Sequence, residues 1–226
     1  MIFNLVSGST EFATVKVTCP VGATVTITDG TRTYTKTSTS TTVSFTLPVA
    51  GTWTVTVTKN GVTETKTINV TTKGETYEEP ITLVKYIFKE GEGAKVPLSA
   101  YAAYDDVYGY YGRCNIRNSD IYISFDEYCQ GSCKDAGFYF TNAIDLTGYS
   151  KLVIELKNQN AFFFINKRES DGWHTTNIKY FQAYAQRRVE TVDISSLTGD
   201  TVLEFETAEL LSWTNVYNIY LEVANE

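Results

Sequence analysis

The feature that most restricts this chain is a repeated two-residue alternation. Ala23, Val25 and Ile27 interleave with Thr24, Thr26 and Thr28, and Leu152, Ile154 and Leu156 interleave with Val153, Glu155 and Lys157. A period of two sends successive side chains to opposite faces of an extended strand, which no helix can do. Turn dipeptides separate the alternating runs: Asp29-Gly30, Asn60-Gly61, Thr147-Gly148, Asp171-Gly172 and Gly199-Asp200. Dipeptides of this kind tolerate the positive φ that tight hairpins demand. An all-β chain of short antiparallel strands is the expectation. A composition rich in Thr, Val, Tyr and Phe with one Met agrees with it.

The first half reads as one sandwich. Its inward sets are Ala13, Val15, Val17 and Cys19; Ala23, Val25 and Ile27; Val43, Phe45 and Leu47; Trp53, Val55 and Val57; and Ile68 with Val70. Outward positions fall largely to Thr, a β-branched residue that suits an exposed pleat. Residues 71–80 are polar and read as an edge or connecting strand, with a domain boundary near Val84. Charge divides at the same place. Residues 1–84 hold six Lys/Arg and six Asp/Glu, so the remaining 13 and 20 place the whole net charge of −7 in residues 85–226. That sign predicts no nucleic-acid partner, which would call for a basic stripe.

The second half has nine strand candidates, at 84–88, 121–125, 137–141, 152–156, 162–165, 178–184, 189–194, 202–205 and 216–223. Tyr217, Ile219, Leu221 and Val223 share one parity, and the run 162–165 (FFFI) reads as a strand buried on both faces. A helical turn is expected over 208–212. That many antiparallel strands in about 140 residues suit a jelly roll. The expected fold is therefore all-β, a sandwich over 1–84 followed by a jelly-roll β-sandwich over 85–226.

Two resemblances sharpen this. The phrase VTCPVGATVTITDG with TVSFTLPVAGTWTVTVTKNG resembles a small immunoglobulin-like module of the kind found on bacterial surface proteins and phage structural proteins. Trp53 would be its core anchor, although the Cys…Trp…Cys pattern of antibody domains is absent. The phrases AIDLTGYSKLVIELK, VDISSLTGDTVLEFE and WTNVYNIYLEV resemble the galactose-binding-like jelly roll of carbohydrate-binding modules, notably those of phage fibre and tail-associated proteins. The resemblance implies a non-enzymatic virion surface protein, a capsid decoration, head-fibre or tail-associated component. Its partners would be other virion proteins and a surface glycan or host-surface component. A carbohydrate-binding or adhesin segment of a secreted bacterial protein is the alternative.

Location follows the same line. Met1-Ile-Phe-Asn-Leu-Val has neither a basic n-region nor a long apolar run, which predicts no signal peptide. No stretch approaches the ~20 apolar residues of a spanning helix, so membrane insertion is not expected. Synthesis in a host cytoplasm and display on a virion satisfy both readings, with a secreted or cell-surface protein as the alternative.

Catalytic motifs do not stand out. His174 is the one histidine, and there is no G-x-S-x-G, His-Glu-x-x-His or P-loop. Asp105, Asp106, Asp126 and Glu127 are carboxylates that would need to converge before acting as a glycosidase pair. No cofactor is expected. A structural calcium, which the second resemblance implies, has no matched ligands. Cys19 reads as a core thiol; Cys114, Cys129 and Cys133 are read as free, with a Cys129–Cys133 disulfide or zinc shared with His174 as alternatives.

Recognition is placed on tyrosine and tryptophan. The stretch 101–112 (YAAYDDVYGYYG) carries five tyrosines among small residues, too many for a core. Stiff amphipathic rings suit sugar stacking or protein contact. Tyr108, Tyr110 and Tyr111, with Trp173 and His174 beside Asp171-Gly172, are the expected ligand contacts. The competing reading makes the tyrosines an edge strand and Trp173 a loop anchor.

Overall fold

The computed structural model describes residues 11–102, 104–105, 110–125, 136–158, 162–169, 175–182, 184–208 and 213–225. Among the described residues the chain forms 21 strands and no helix. It divides into two compact units, Met1–Val84 with Val223–Glu226, and Lys85–Glu222. Val21 N donates to Asn225 O at 3.1 Å, so the end of the chain is hydrogen-bonded within the first unit.

The first unit holds β1 (Phe12–Thr18), β2 (Thr24–Thr28), β3 (Thr33–Thr37), β4 (Thr42–Pro48), β5 (Gly51–Lys59), β6 (Val62–Val70) and β7 (Thr76–Pro80). They make two sheets, in the orders β4-β1-β7 and β3-β2-β5-β6. The inward sets read from the alternation are the core: Val15, Val17, Val25, Ile27, Leu47, Trp53, Val55 and Val57 are all fully buried. Cys19 is buried with them as a free thiol. Outward threonines meet across strands, with Oγ1 atoms 3.1 Å apart for Thr26 and Thr35 and 2.9 Å for Thr58 and Thr63. Asn60 (φ 52°) and Gly61 (φ 73°) close the β5–β6 hairpin in the left-handed region, as their sequence predicts. One pairing departs from the antiparallel expectation: β7, in the polar stretch 71–80, lies parallel to β1. Strand β3 had no apolar signature because all five of its residues are exposed.

The second unit holds β8 (Val84–Lys89), β9 (Gly93–Ala94), β10 (Leu98–Ala102), β11 (Tyr104–Asp105), β12 (Tyr110–Ile116), β13 (Ile121–Phe125) and β14 (Ala136–Phe140). It continues with β15 (Ile144–Asp145), β16 (Tyr149–Asn158), β17 (Phe162–Arg168), β18 (Thr175–Phe181), β19 (Tyr184–Asp193), β20 (Asp200–Ala208) and β21 (Trp213–Val223). One sheet runs β10-β14-β20-β17-β18, with β15 beside β20; the other runs β11-β12-β13-β21-β16-β19, with β8 against β21 and β9 against β8. From β13 onward successive long strands pass from one sheet to the other, apart from the β17–β18 hairpin, which is the jelly-roll manner of building a two-sheet sandwich. Phe138, Phe163 and Phe205 fill the core from the first sheet, and Ile123, Leu152, Ile154, Leu156 and Leu221 from the second. Phe138 and Phe205 stack at 4.8 Å.

Three expectations are corrected. The run 162–165 is not buried on both faces: Phe163 and Ile165 are fully buried, whereas Phe162 is 36% exposed and Phe164 half-buried. Four successive apolar residues hide which face is solvated. Tyr217 does not share a face with Ile219, Leu221 and Val223, because the buried parity of β21 slips by one residue after Val216. The run 178–184 spans the end of β18 and the start of β19 rather than one strand. Ala208 closes β20 as strand, and the rest of the expected helical turn lies outside the described residues.

Asp29 ties the β2–β3 hairpin together. Its Oδ1 accepts from Arg32 N at 2.6 Å and Thr31 N at 3.0 Å, and its Oδ2 from Arg32 Nε at 2.8 Å. The Arg32 backbone N–H is the main cause holding its carboxyl down at about 2, aided by the Arg32 side chain and the Thr31 N–H. A carboxyl depressed in the folded state stabilises above the ordinary carboxyl range, near ~4, and that contribution fades as pH falls towards the folded value. Thermal unfolding measured from pH 5, about a unit above this window, down to pH 2, at its lower edge, should show wild type losing its advantage over Asp29→Ala as acid is added.

Candidate glycan-facing site

The site lies on the outer face of the sheet β10-β14-β20-β17-β18. Cross-strand register assembles it in rows. Tyr101 stands opposite Gly137, Gly137 opposite Glu206, Glu206 opposite Phe164, and Phe164 opposite Tyr180. The next row runs Ser99, Tyr139, Glu204, Asn166, Asn177. Cross-strand pairing decides which of the outward residues of each strand meet.

One end of the face is an aromatic group. Phe162, Phe164 and Tyr180 have ring centroids 6.1 Å apart in each pair, with Tyr180 standing edge-on to Phe162. Tyr180 is 52% exposed. Among the described residues no cation lies over these three rings. The other sheet differs: Lys157 covers Trp213 at 4.6 Å, Arg187 covers Tyr217 at 4.0 Å, and Arg117 covers Tyr122 at 5.1 Å. A ring already faced by a cation offers less of its electron-rich face to a ligand.

The other end is a charged cluster. Glu204 is only 8% exposed. Tyr101 Oη donates to its Oε1 at 2.6 Å, and Arg168 Nε pairs with its Oε2 at 3.0 Å. Arg168 also lies 4.0 Å from the Tyr139 ring centroid. Hydrogen bonding with Ser99, then with Arg168, pulls the Tyr139 phenol below its ordinary range. With both oxygens engaged, Glu204 braces the sheet face. A cleft of about 540 Å³ opens beside it, lined by Tyr139, Lys167, Arg168, Glu169, Asp200 and Thr201 among others. Gly137 sits between the two ends, and a Cβ there would come within 2.0 Å of Phe205 O. Only glycine allows β14 and β20 this close approach.

Two of the five contacts expected from sequence fall among the described residues. Tyr110 and Tyr111 are in β12, paired with Asp105 and Tyr104 of β11, on the other sheet. Tyr108, Trp173 and His174 lie outside the described residues, as do Cys129 and Cys133. Among the described residues no group of His, Cys, Asp and Glu is arranged to hold a metal ion. Sequence reasoning missed Phe162, Phe164 and Tyr180; a Phe-rich run followed by a hairpin bearing alternate polar residues was the available signal.

No family model matches the chain, and no curated protein matches it. Solved structures similar to it include a mutant carbohydrate binding module of family 29, at 11% identity and TM-score 0.44, covering 63% of this chain and 92% of that one. Another family 29 module matches at 10% identity and TM-score 0.44, covering 63% and 89%. A third, a mutant complexed with cellulohexaose, matches at 10% and 0.44, covering 62% and 91%. These similarities concern the path of the chain and transfer nothing about ligand.

Removing Arg168 strands a nearly buried carboxylate. Arg168→Met should lower stability by about 3 kcal/mol, the cost of breaking a buried pair. Adding Glu204→Gln should restore a substantial part of the loss, a coupling that a double-mutant cycle by chemical denaturation would measure.

Proposed function

We propose that the chain is a non-enzymatic glycan-binding protein whose second unit binds a carbohydrate chain across the outer face of the β10-β14-β20-β17-β18 sheet. The observation that supports this best is the aromatic group of Phe162, Phe164 and Tyr180, over which no cation lies among the described residues, beside a hydrogen-bonding row. Sugars have apolar C–H faces that rest on an electron-rich ring, and rims of hydroxyls that need polar partners. From Tyr101 on β10 to Tyr180 on β18 there are four strand spacings, about 19 Å at ~4.8 Å each, room for several linked units. Residues 85–226 carry the net charge of −7, which disfavours acidic glycans and leaves neutral ones.

Tyr108, Tyr110, Tyr111, Trp173 and His174 are proposed as additional contacts. The setting proposed for the protein is a bacteriophage virion surface, with the first unit an immunoglobulin-like spacer attached to other virion proteins. Many copies on one particle would raise modest affinities by avidity. The same face would serve a secreted bacterial adhesin or enzyme equally well, and labelled imaging of purified particles separates the two settings. A structural calcium remains proposed only as an accessory.

A glycan array probed with the full chain tests the reading. Tyr180→Ala, at an exposed position, should weaken binding about threefold to tenfold, the worth of one aromatic contact. Trp173→Ala and Tyr110→Ala, run in parallel, compare the sequence-derived contacts with the sheet face. Absence of binding to every glycan would refute the proposal, and an unaffected Tyr180→Ala would move the site off this sheet.

A further inference from the structure

We infer that Asn177 is the residue through which this face selects among sugar substituents, held as a hydrogen-bond acceptor by a relay through Asn166 to Glu206. The inference rests on the glycan-binding reading above. Asn166 is 5% exposed on the outer face of β17. Its Nδ2 donates to Glu206 Oε2 at 3.1 Å, and its Oδ1 accepts from Asn177 Nδ2 at 2.9 Å. Asn177 Nδ2 also donates to Lys179 O at 3.3 Å.

The direction of this relay is forced from one end. An ionised carboxylate only accepts, so Asn166 must turn its NH₂ towards Glu206 and its oxygen towards Asn177. Asn177 must then turn its own NH₂ inward, where both N–H groups are engaged. Its Oδ1 is left on the exposed side, and among the described residues nothing donates to it. Reversing either amide would set donor against donor or acceptor against acceptor around a buried side chain.

A register shift puts the residue there. Between Ile165 and Asn166 the β17–β18 pairing skips one position, so Asn177, rather than Ile178, stands opposite Asn166. A bulge of this kind re-aims a side chain, and here it exchanges an apolar one for an amide on the row next to Phe164 and Tyr180. A sugar unit resting on Tyr180 and Phe164 is therefore recognised by a hydroxyl that donates to Asn177 Oδ1. Units bearing an O-methyl group, a carboxylate or no substituent at that position lose the bond.

Calorimetry on the full chain tests this with cellohexaose, mannohexaose and their O-methylated counterparts. Wild type should bind the free-hydroxyl form about threefold to tenfold more tightly than the methylated form, the worth of one net hydrogen bond. Asn177→Ala should abolish that preference. Glu206→Gln frees the relay to reverse and should narrow the preference, which a purely structural role for Glu206 would not do. An undiminished preference in Asn177→Ala, or none in wild type, overturns the inference while glycan binding stands. Failure of wild type to bind any of these probes, when it also binds nothing on the array, overturns both.

Discussion

Strand β20 lies in the middle of its sheet, and the pleat there puts Phe205 on the core side and Glu204 and Glu206 on the other. Phe205 stacks on Phe138 and approaches Phe140 and Phe163, so its register is set by a group of four buried phenylalanines. A slip of one residue in β20 would turn Phe205 to solvent and Glu204 and Glu206 towards the core. The core thus determines the outer face: the same packing that hides Phe205 holds Glu204 against Arg168 and Tyr101, and Glu206 against Asn166. The site is the reverse side of the core.

The two sheets of this unit treat their aromatic residues differently. On the second sheet, cations lie over Trp213, Tyr217 and Tyr122, and Arg187 adds ion pairs to Glu90 and Glu155, each at 2.6 Å. Such a surface satisfies itself. On the first sheet the charges gather at Glu204 and Arg168, and among the described residues no cation lies over Phe162, Phe164 and Tyr180 at the far end. An aromatic group beside a directed amide row has the amphipathic character that a sugar ring requires. The total number of aromatic residues in the chain says nothing about which of the two states each is in.

Much of the scaffold was legible. Alternation identified the buried sets of β1, β2, β4 and β5, and the Asn60-Gly61 and Thr147-Gly148 turns, because these depend on neighbours one or two residues away. The run 162–165 failed for the same reason. Four apolar residues in a row have no period, so the solvated side of β17 was unreadable until β18 and β20 were placed beside it. Strand β12 was missed because its sequence, YYGRCNI, mixes polar and aromatic residues without alternation.

By itself the sequence determined the all-β class and the inward residues of most strands, since strand period and turn chemistry are properties of short stretches. Tertiary structure decided the rest. Glu206 and Asn166 are forty residues apart in the chain, and Asn177 reaches them only through a skipped pairing position in the β17–β18 hairpin. Cross-strand neighbours follow from which sheets close over which cores, a global packing choice that no local pattern encodes. The residues are written in the chain, but their convergence into one face is a product of the fold.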